Sequence, residues 1–338
     1  MTTSARIGFC CKWLNDPSEC GGMKVNAQDR ELNGRSTTMR WLREHAAEAE
    51  QRQWDIMNHN AGAALRMIER VGSLPKHLRM VRLGSEMLQG YTEKDWINWW
   101  QQPDVQDHCA KIFAPVGEAA RRLGVRLSFH PGQFCVLASE SAEIVERSIL
   151  EFEYHADMAR WMGYGRAFQD FKINVHISGR RGPAGIKDTL SRLSPEARNC
   201  ITIENDEMTW GIDASLELAA DCALVLDIHH HWIKTGEYID VNDDRVKKIG
   251  DSWRGVRPVI HYSVSREDCL VDYPRHQRPS LQVLLDAGYK KGKLRAHSDF
   301  YWNSAVNEWA YEFTNIADIQ CEAKGKNLAR DGFVGQFL

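Results

Sequence analysis

No stretch of this 338-residue chain comes near the roughly 18 consecutive apolar residues that a membrane span needs. The opening, MTTSARIGFCCKW, has no charged segment leading into an apolar one, so a secretory signal is not expected. The nine cysteines contain no C-x-x-C pair, and an odd, scattered set in a chain this long argues against a disulfide framework. Reduced thiols and a cytoplasmic address follow as expectations. For the neighbours Cys10 and Cys11, burial at a strand end is preferred over a redox role. No Gly-rich fingerprint follows the first strand-like run, which weakens the case for a dinucleotide-binding open sheet. Neither an internal repeat nor a low-complexity linker occurs, so residues 1–338 are read as one domain. A basic surplus is missing too. The net charge is −3, which weighs against a surface built throughout for phosphates.

What is present is the composition of a folded globular protein, 43% apolar and 26% charged. The positive charge is gathered locally: Arg180 and Arg181; Lys247, Lys248, Arg254 and Arg257; Lys290, Lys291, Lys293 and Arg295; Lys324, Lys326 and Arg330. Three of these four clusters follow runs that read as strands. The plainer account of any one cluster is an ordinary solvated face. Much of the acid lies in helical stretches such as 44–50.

Short β-like runs recur at 6–10, 79–83, 125–129, 171–176, 200–203, 223–227, 258–262 and 318–321. The central ones ("LSF", "INVHI", "ITIE", "LVLDI") are apolar for most of their length, as strands covered on both faces are. Amphipathic helices are expected between them, among others at 39–69, 105–123, 142–161 and 304–314. Strands alternating with helices in this number predict a closed (β/α)8 barrel. Three stretches, 12–35, 86–103 and 265–295, are long for plain loops and point to function or mobility.

Chemistry concentrates where the strands end. His130, His176, Glu204, Asp227, His261 and Glu322 close six consecutive strand runs, and in a barrel they would ring the C-terminal mouth. His230 follows Asp227 by three residues, and His297 lies between the last two strands. A lone strand-end histidine is more often a hydrogen-bonded structural residue. Six successive strands ending in metal-ligand types are not expected by accident, and they point to divalent cations. Eight candidate ligands exceed the roughly four to six positions around one ion, so two or three ions are expected. Glu204, with two oxygens, is the candidate bridge. Such a site suits phosphodiester hydrolysis.

Seven motifs then appear in order: "SFHPGQF" (128–134), "VHISG" (175–179), "IENDE" (203–207), "LDIHHH" (226–231), "VIHYS" (259–263), "AHSDF" (296–300) and "CEAKGK" (321–326). Together they resemble the UV damage endonucleases, relatives of the endonuclease IV type of abasic-site nuclease, from about the first strand to Arg330. The resemblance implies a single (β/α)8 barrel with up to three divalent ions, commonly manganese, with zinc and magnesium as the other candidates. It implies the ligands His130, His176, Glu204, Asp227, His230, His261, His297 and Glu322, with His229 and His231 as supporting residues. Of the groups named, it puts Glu204, His230 and Lys324 at the chemistry. Damaged double-stranded DNA is the implied partner, bound by a monomer and cut immediately 5′ to pyrimidine dimers, 6-4 photoproducts or abasic sites. Gln133 and Phe134 match a pair inserted at the lesion, Phe9 an aromatic beside it, and Lys326 a DNA contact. An apolar ring can hold open a base step that damage has weakened.

Two departures from the family pattern stand out. A lysine that many members carry two residues before the strand-seven histidine is here Val259, with Lys324 or Lys326 left to supply the charge. The 265–295 insertion also separates His261 from His297 widely and makes His276 a rival ligand. The alternatives are a metal-dependent sugar isomerase or epimerase on the same barrel, an abasic-site endonuclease, and a damage-binding homologue without catalysis. A further reading gives the twelve tryptophans, "WINWW" (96–100) above all, to protein contacts, although helical spacing favours packing.

Overall fold

The structure, a computed structural model, describes residues 5–16 and 29–338. Eight short strands run β1 Ile7–Cys10, β2 Met80–Arg82, β3 Arg126–Phe129, β4 Lys172–His176, β5 Ile201–Glu204, β6 Ala223–Asp227, β7 Val259–Tyr262 and β8 Asp318–Cys321. Each pairs in parallel with its chain neighbours, and β8 returns to β1 through Ile7↔Ile319, closing the barrel. Every strand lies within one residue or so of the expected run.

Alternation divides each strand between two environments. Ile7, Phe9, Val81, Leu127, Phe129, Ile173, Val175, Ile201, Ile203, Leu224, Leu226, Ile260 and Ile319 belong to the large apolar layer shared with the helices. The positions between them face the barrel interior. At its lower end Met80, Ala223, Val225 and Val259 pack with Trp253 into a small apolar plug. Above the plug the interior turns polar, with Lys172, Asn174, Thr202, Gln320 and the strand-end acids and imidazoles. Below it Asp318 is gripped by Arg126 at 2.8 Å and Arg257 at 2.9 Å.

The long helices follow the expected periods, with one break. Residues 39–69, read as one helix, form Met39–Glu44 and Ala46–Gly72. His45 makes the joint, its ring stacked on Trp41 and its Nδ1 3.0 Å from the Trp41 carbonyl. Pro103–Leu123 opens on its proline and stops at Gly124, whose φ of 64° suits glycine. Gly117 lets that helix lie against the Met162 backbone, where a Cβ would stand 1.8 Å from the carbonyl oxygen. Ala142–Trp161 has the expected bounds, capped by Ser141.

The 86–103 stretch packs into and against the core. Trp100 is buried, and Trp96 and Trp99 lie half-buried against the core. The 265–295 insertion carries the short helices Leu281–Asp286 and Lys291–Leu294 and ends in an antiparallel bridge, Ser265↔His297. Of the 12–35 stretch, residues 17–28 lie outside the described residues. The cluster of Lys247, Lys248, Arg254 and Arg257 does not flank the mouth. It precedes β7, with Arg257 on Asp318, Arg254 over the Phe168 ring and Lys247 on Asp251, so it braces the opposite rim. Arg330 is also withdrawn from any DNA role, being fully buried over the Phe9 ring.

Among the described residues eight cysteines are free. Cys10 is buried, and its thiol donates to the Cys321 carbonyl at 3.1 Å. No helix among the described residues is long and apolar enough to cross a membrane.

Candidate metal centre

The strand ends bring their side chains together. Two groups form, His130, His176 and Glu204, and Glu204, Asp227, His261 and Glu322; within each, donor atoms lie within 4.8 Å of one another. Glu204 belongs to both. Its Oε2 is 3.4 Å from His130 Nε2, and its Oε1 is 3.1 Å from His261 Nδ1. Glu322 Oε1 approaches the same His261 nitrogen at 3.3 Å. His230 stands beside the groups, its Nδ1 3.6 Å from Glu204 and 3.7 Å from Asp227.

Each group is held by a local reason. Asp227 ends β6 and caps the next helix, Ile228–Thr235, by accepting from the His230 amide at 2.7 Å. One carboxylate thereby fixes the turn that presents His230. Asn205 pins the same corner through both backbone atoms of Asp227, at 2.8 and 3.0 Å. Asn174, two residues below His176, donates its amide to Glu204 and accepts from Thr202. His130, His230 and His297 each set Nδ1 on a backbone carbonyl, of Pro131, Asn205 and Glu322 respectively, at 2.9 to 3.1 Å. A carbonyl only accepts, so Nδ1 carries the hydrogen, and in a neutral ring Nε2 keeps its lone pair for a cation. Burial would lower His230, but Asp227 and Glu204 overcome it and pull that ring up to about 9, so a cation would have to displace a proton there.

The electrostatics suit such a cation. Burial pushes His130 down to about 4, against the pull of its hydrogen bond with Glu204, so its ring is neutral at pH 7. Burial raises Asp227 well above the usual range, with Glu204 and Glu322 adding to the effect of desolvation. Burial would raise Glu204 as well, but the His261 and His176 rings overcome it and hold that carboxyl well below its ordinary range. Asp227 Oδ2 is buried with no hydrogen-bond partner, an orphaned oxygen inside a ring of ligands. Three carboxylates and several imidazoles, one acid oxygen among them unmet, fit a divalent cation cluster.

His297 is the histidine of the insertion that reaches this rim, held by the Ser265 bridge and its bond to Glu322. His276 is exposed and belongs to neither group formed by the described residues. His229 sits between the hydroxyls of Ser263 and Ser265, and His231 bonds Glu237 at 2.8 Å, so both support the loop.

The strand-end rule missed several residues. Lys172, on the interior face of β4, is buried with Nζ 2.7 Å from His261 Nε2. Burial pushes it down to about 7, while Glu204 pulls the other way. Arg82 ends β2 and bonds Glu322. Glu207 reaches within 3.8 Å of His230 Nε2 and is held by Arg295 at 2.7 Å. The period of two would have found Lys172 and Arg82, which share interior parity with His176 and with Met80; Glu207 closes the "IENDE" motif, which was the signal for it.

Around the rim, Gln133 and Phe134 are exposed on the loop after β3, the Phe134 ring to 84%. Lys324 is half-exposed, 3.8 Å from Asp299, and Lys326 is partly buried in a left-handed conformation with φ 51°. Neither takes the place next to His261, where Lys172 stands. Val259 lies in the apolar plug. The expectation for Phe9 fails: its ring is fully buried in the outer layer against Trp13, because its parity points it away from the interior.

Comparisons with known proteins point to one family. The family model described as UV-endonuclease UvdE matches residues 19–330. A UV-damage endonuclease of Neurospora crassa is 27% identical over 226 residues, 61% of this chain and 34% of that protein. A UV DNA damage endonuclease of Bacillus pumilus is 27% identical over 170 residues, 47% of this chain and 51% of that protein. The chain thus spans about half, or less, of the length of these two relatives. Among solved structures, the crystal structure of SacUVDE matches with TM-score 0.71 and 20% identity, covering 98% of this chain and 97% of that one. That likeness concerns the fold.

Proposed function

The chain belongs to the UV-endonuclease UvdE family, and from that premise we propose that it is a DNA-repair endonuclease that hydrolyses the phosphodiester bond 5′ to a damaged nucleotide. UV photoproducts are its primary substrates and abasic sites a secondary one. The observation that carries the reading is the pair of ligand groups joined through Glu204 at the mouth of the barrel.

His130, His176 and Glu204 would hold one divalent cation, and Glu204, Asp227, His261 and Glu322 a second. His230 and His297 stand where a third could be completed. Mixed imidazole and carboxylate donors without thiolate suit manganese, with zinc or magnesium as substitutes. Such ions, when bound, supply hydroxide at neutral pH and offset charge on the leaving oxygen.

The chain's own residues do the rest. Phe134, a large apolar ring presented to solvent, wedges into the weakened base step while Gln133 contacts base edges. Lys324 and Lys326 face the phosphates beyond β8, and Arg180 those beyond β4. The enzyme acts as a monomer in the compartment that holds the DNA. A sugar epimerase has no use for a ring left open to solvent on its rim, and a damage-binding homologue without catalysis has no use for a full ligand set.

The test is incision of a labelled duplex bearing one defined photoproduct, with manganese added. A single nick immediately 5′ to the lesion supports the reading. Intact lesion DNA, or equal cutting of undamaged duplex, overturns it.

A further inference from the structure

Three carboxylates meet at the second ligand group, and each has a different donor behind it. Glu204 takes the Asn174 amide, and Asp227 takes the backbone N–H of His230. Glu322 takes the guanidinium of Arg82, its only side-chain hydrogen bond among the described residues. The first two acids end their strands, so the ladder itself aims them inward. Glu322 lies one residue past β8. Its backbone is pinned, the N–H donating to Tyr262 at 2.9 Å and the carbonyl accepting from His297 at 2.9 Å. Its carboxylate still has to be turned toward His261.

Arg82 is built to do this. It ends β2 between Cys10 on one side and Ser128 on the other, so its backbone is fixed in the sheet from both directions. Its parity is that of Met80, toward the barrel interior. The side chain is only 14% exposed, and its Nε is buried without an acceptor. The other side chains that act on it are the thiols of Cys10 and Cys11, so Glu322 is the carboxylate that it holds. Glu322 Oε1 lies between Arg82 Nη1 and His261 Nδ1. One fixed positive charge thus backs Glu322, offsets part of the negative charge gathered there before any ion arrives, and leaves the second Glu322 oxygen uncommitted.

We propose that Arg82 is the positioning residue of the second cation site, orienting Glu322 so that Glu204, Asp227, His261 and Glu322 converge on one ion. Among the described residues Arg82 makes no hydrogen bond to the ligands of the first site, His130, His176 and Glu204, and reaches His130 only through its charge. Removing Arg82 should therefore cost the protein one ion and leave the other. The assignment rests on the cation reading of the mouth but not on the choice of DNA substrate.

The experiment is manganese(II) titration of the metal-free protein, followed by electron paramagnetic resonance, for the parent chain, Arg82→Gln and Arg82→Lys. The parent should show two neighbouring ions through their coupled spectrum. In Arg82→Gln affinity for one ion should fall by about 10–100-fold, the usual effect of losing an outer partner. The coupled signal should then give way to that of an isolated ion at concentrations that still fill the other site. Arg82→Lys, which keeps the charge, should recover part of the loss and guards against a folding defect in the glutamine variant. Coupled spectra of equal affinity in all three proteins would overturn the role of Arg82 and leave the cation site standing. A parent chain that binds no manganese would overturn both.

Discussion

Lys172 sets its Nζ 2.7 Å from Nε2 of His261, joining β4 to β7 across the inside of the barrel. The other nitrogen of that ring faces Glu204 and Glu322. The ring is thus held from behind by a buried amine, much as Glu322 is held by Arg82. Lys172→Met, close in volume but without the nitrogen, should weaken manganese binding by about 10–100-fold. Calorimetric titration of the metal-free protein measures this. Unchanged affinity would make the contact incidental.

Phe134 separates DNA contact from stability. Its ring is 84% exposed, so Phe134→Ala should leave unfolding free energy within about 0.5 kcal/mol of the parent. Binding to a duplex with one photoproduct should weaken, and the fluorescence rise of a 2-aminopurine placed beside the lesion should shrink. A loss of fold stability with lesion opening intact would make the ring a packing residue.

The opposite rim makes a converse prediction. Asp318 is fully buried under Arg6, Arg126 and Arg257. Asp318→Asn leaves three guanidinium groups short of their shared partner, and loss of one member of a buried pair costs about 3–5 kcal/mol. Denaturant unfolding should register that loss, and manganese binding should not change. Weaker manganese binding would mean that the base and the mouth are coupled.

Glu151 predicts a pH dependence away from the metal centre. Burial pushes its carboxyl up to about 7, with Glu93 and Glu86 adding to the shift against a weak bond from Thr92. Its folded value exceeds its unfolded one, so the folded state binds more protons between the two. Stability should therefore fall as pH rises from the ordinary carboxylate range to about 7, and level off above it. Glu151→Gln should flatten that part of the curve and raise the melting temperature at pH 8 by on the order of 2 °C. Thermal melts of both proteins from pH 4 to pH 8 decide it, and a slope that survives the substitution assigns it to another group.

Much of this was legible in the residues, and the exceptions have physical reasons. Strands buried on one face by helices and on the other by the barrel interior keep apolar runs, so all eight could be read. Six of the eight candidate ligands were visible because each stands at or next to a strand end; His230 and His297 came from the family pattern. What escaped was parity. Counting back by two from His176 reaches Asn174 and Lys172, and from Glu204 it reaches Thr202, all interior. The same count places Phe9 with Ile7, outside, where no lesion reaches it. The choice between His297 and His276 depended on the Ser265 bridge, which sequence separation could not anticipate. The cluster around Lys247 and Arg257 looked available for phosphate because charge runs carry no direction along a barrel axis. His45 broke a helix whose period ran on unchanged, through a side-chain bond to Trp41 that periodicity does not register.

The most direct measurement is anomalous diffraction from crystals of the protein grown with manganese. One peak should be bounded by His130, His176 and Glu204, and another by Glu204, Asp227, His261 and Glu322, with Glu204 shared between them. Density at neither position, or ions held elsewhere on the chain while these side chains keep their present contacts, would contradict this arrangement.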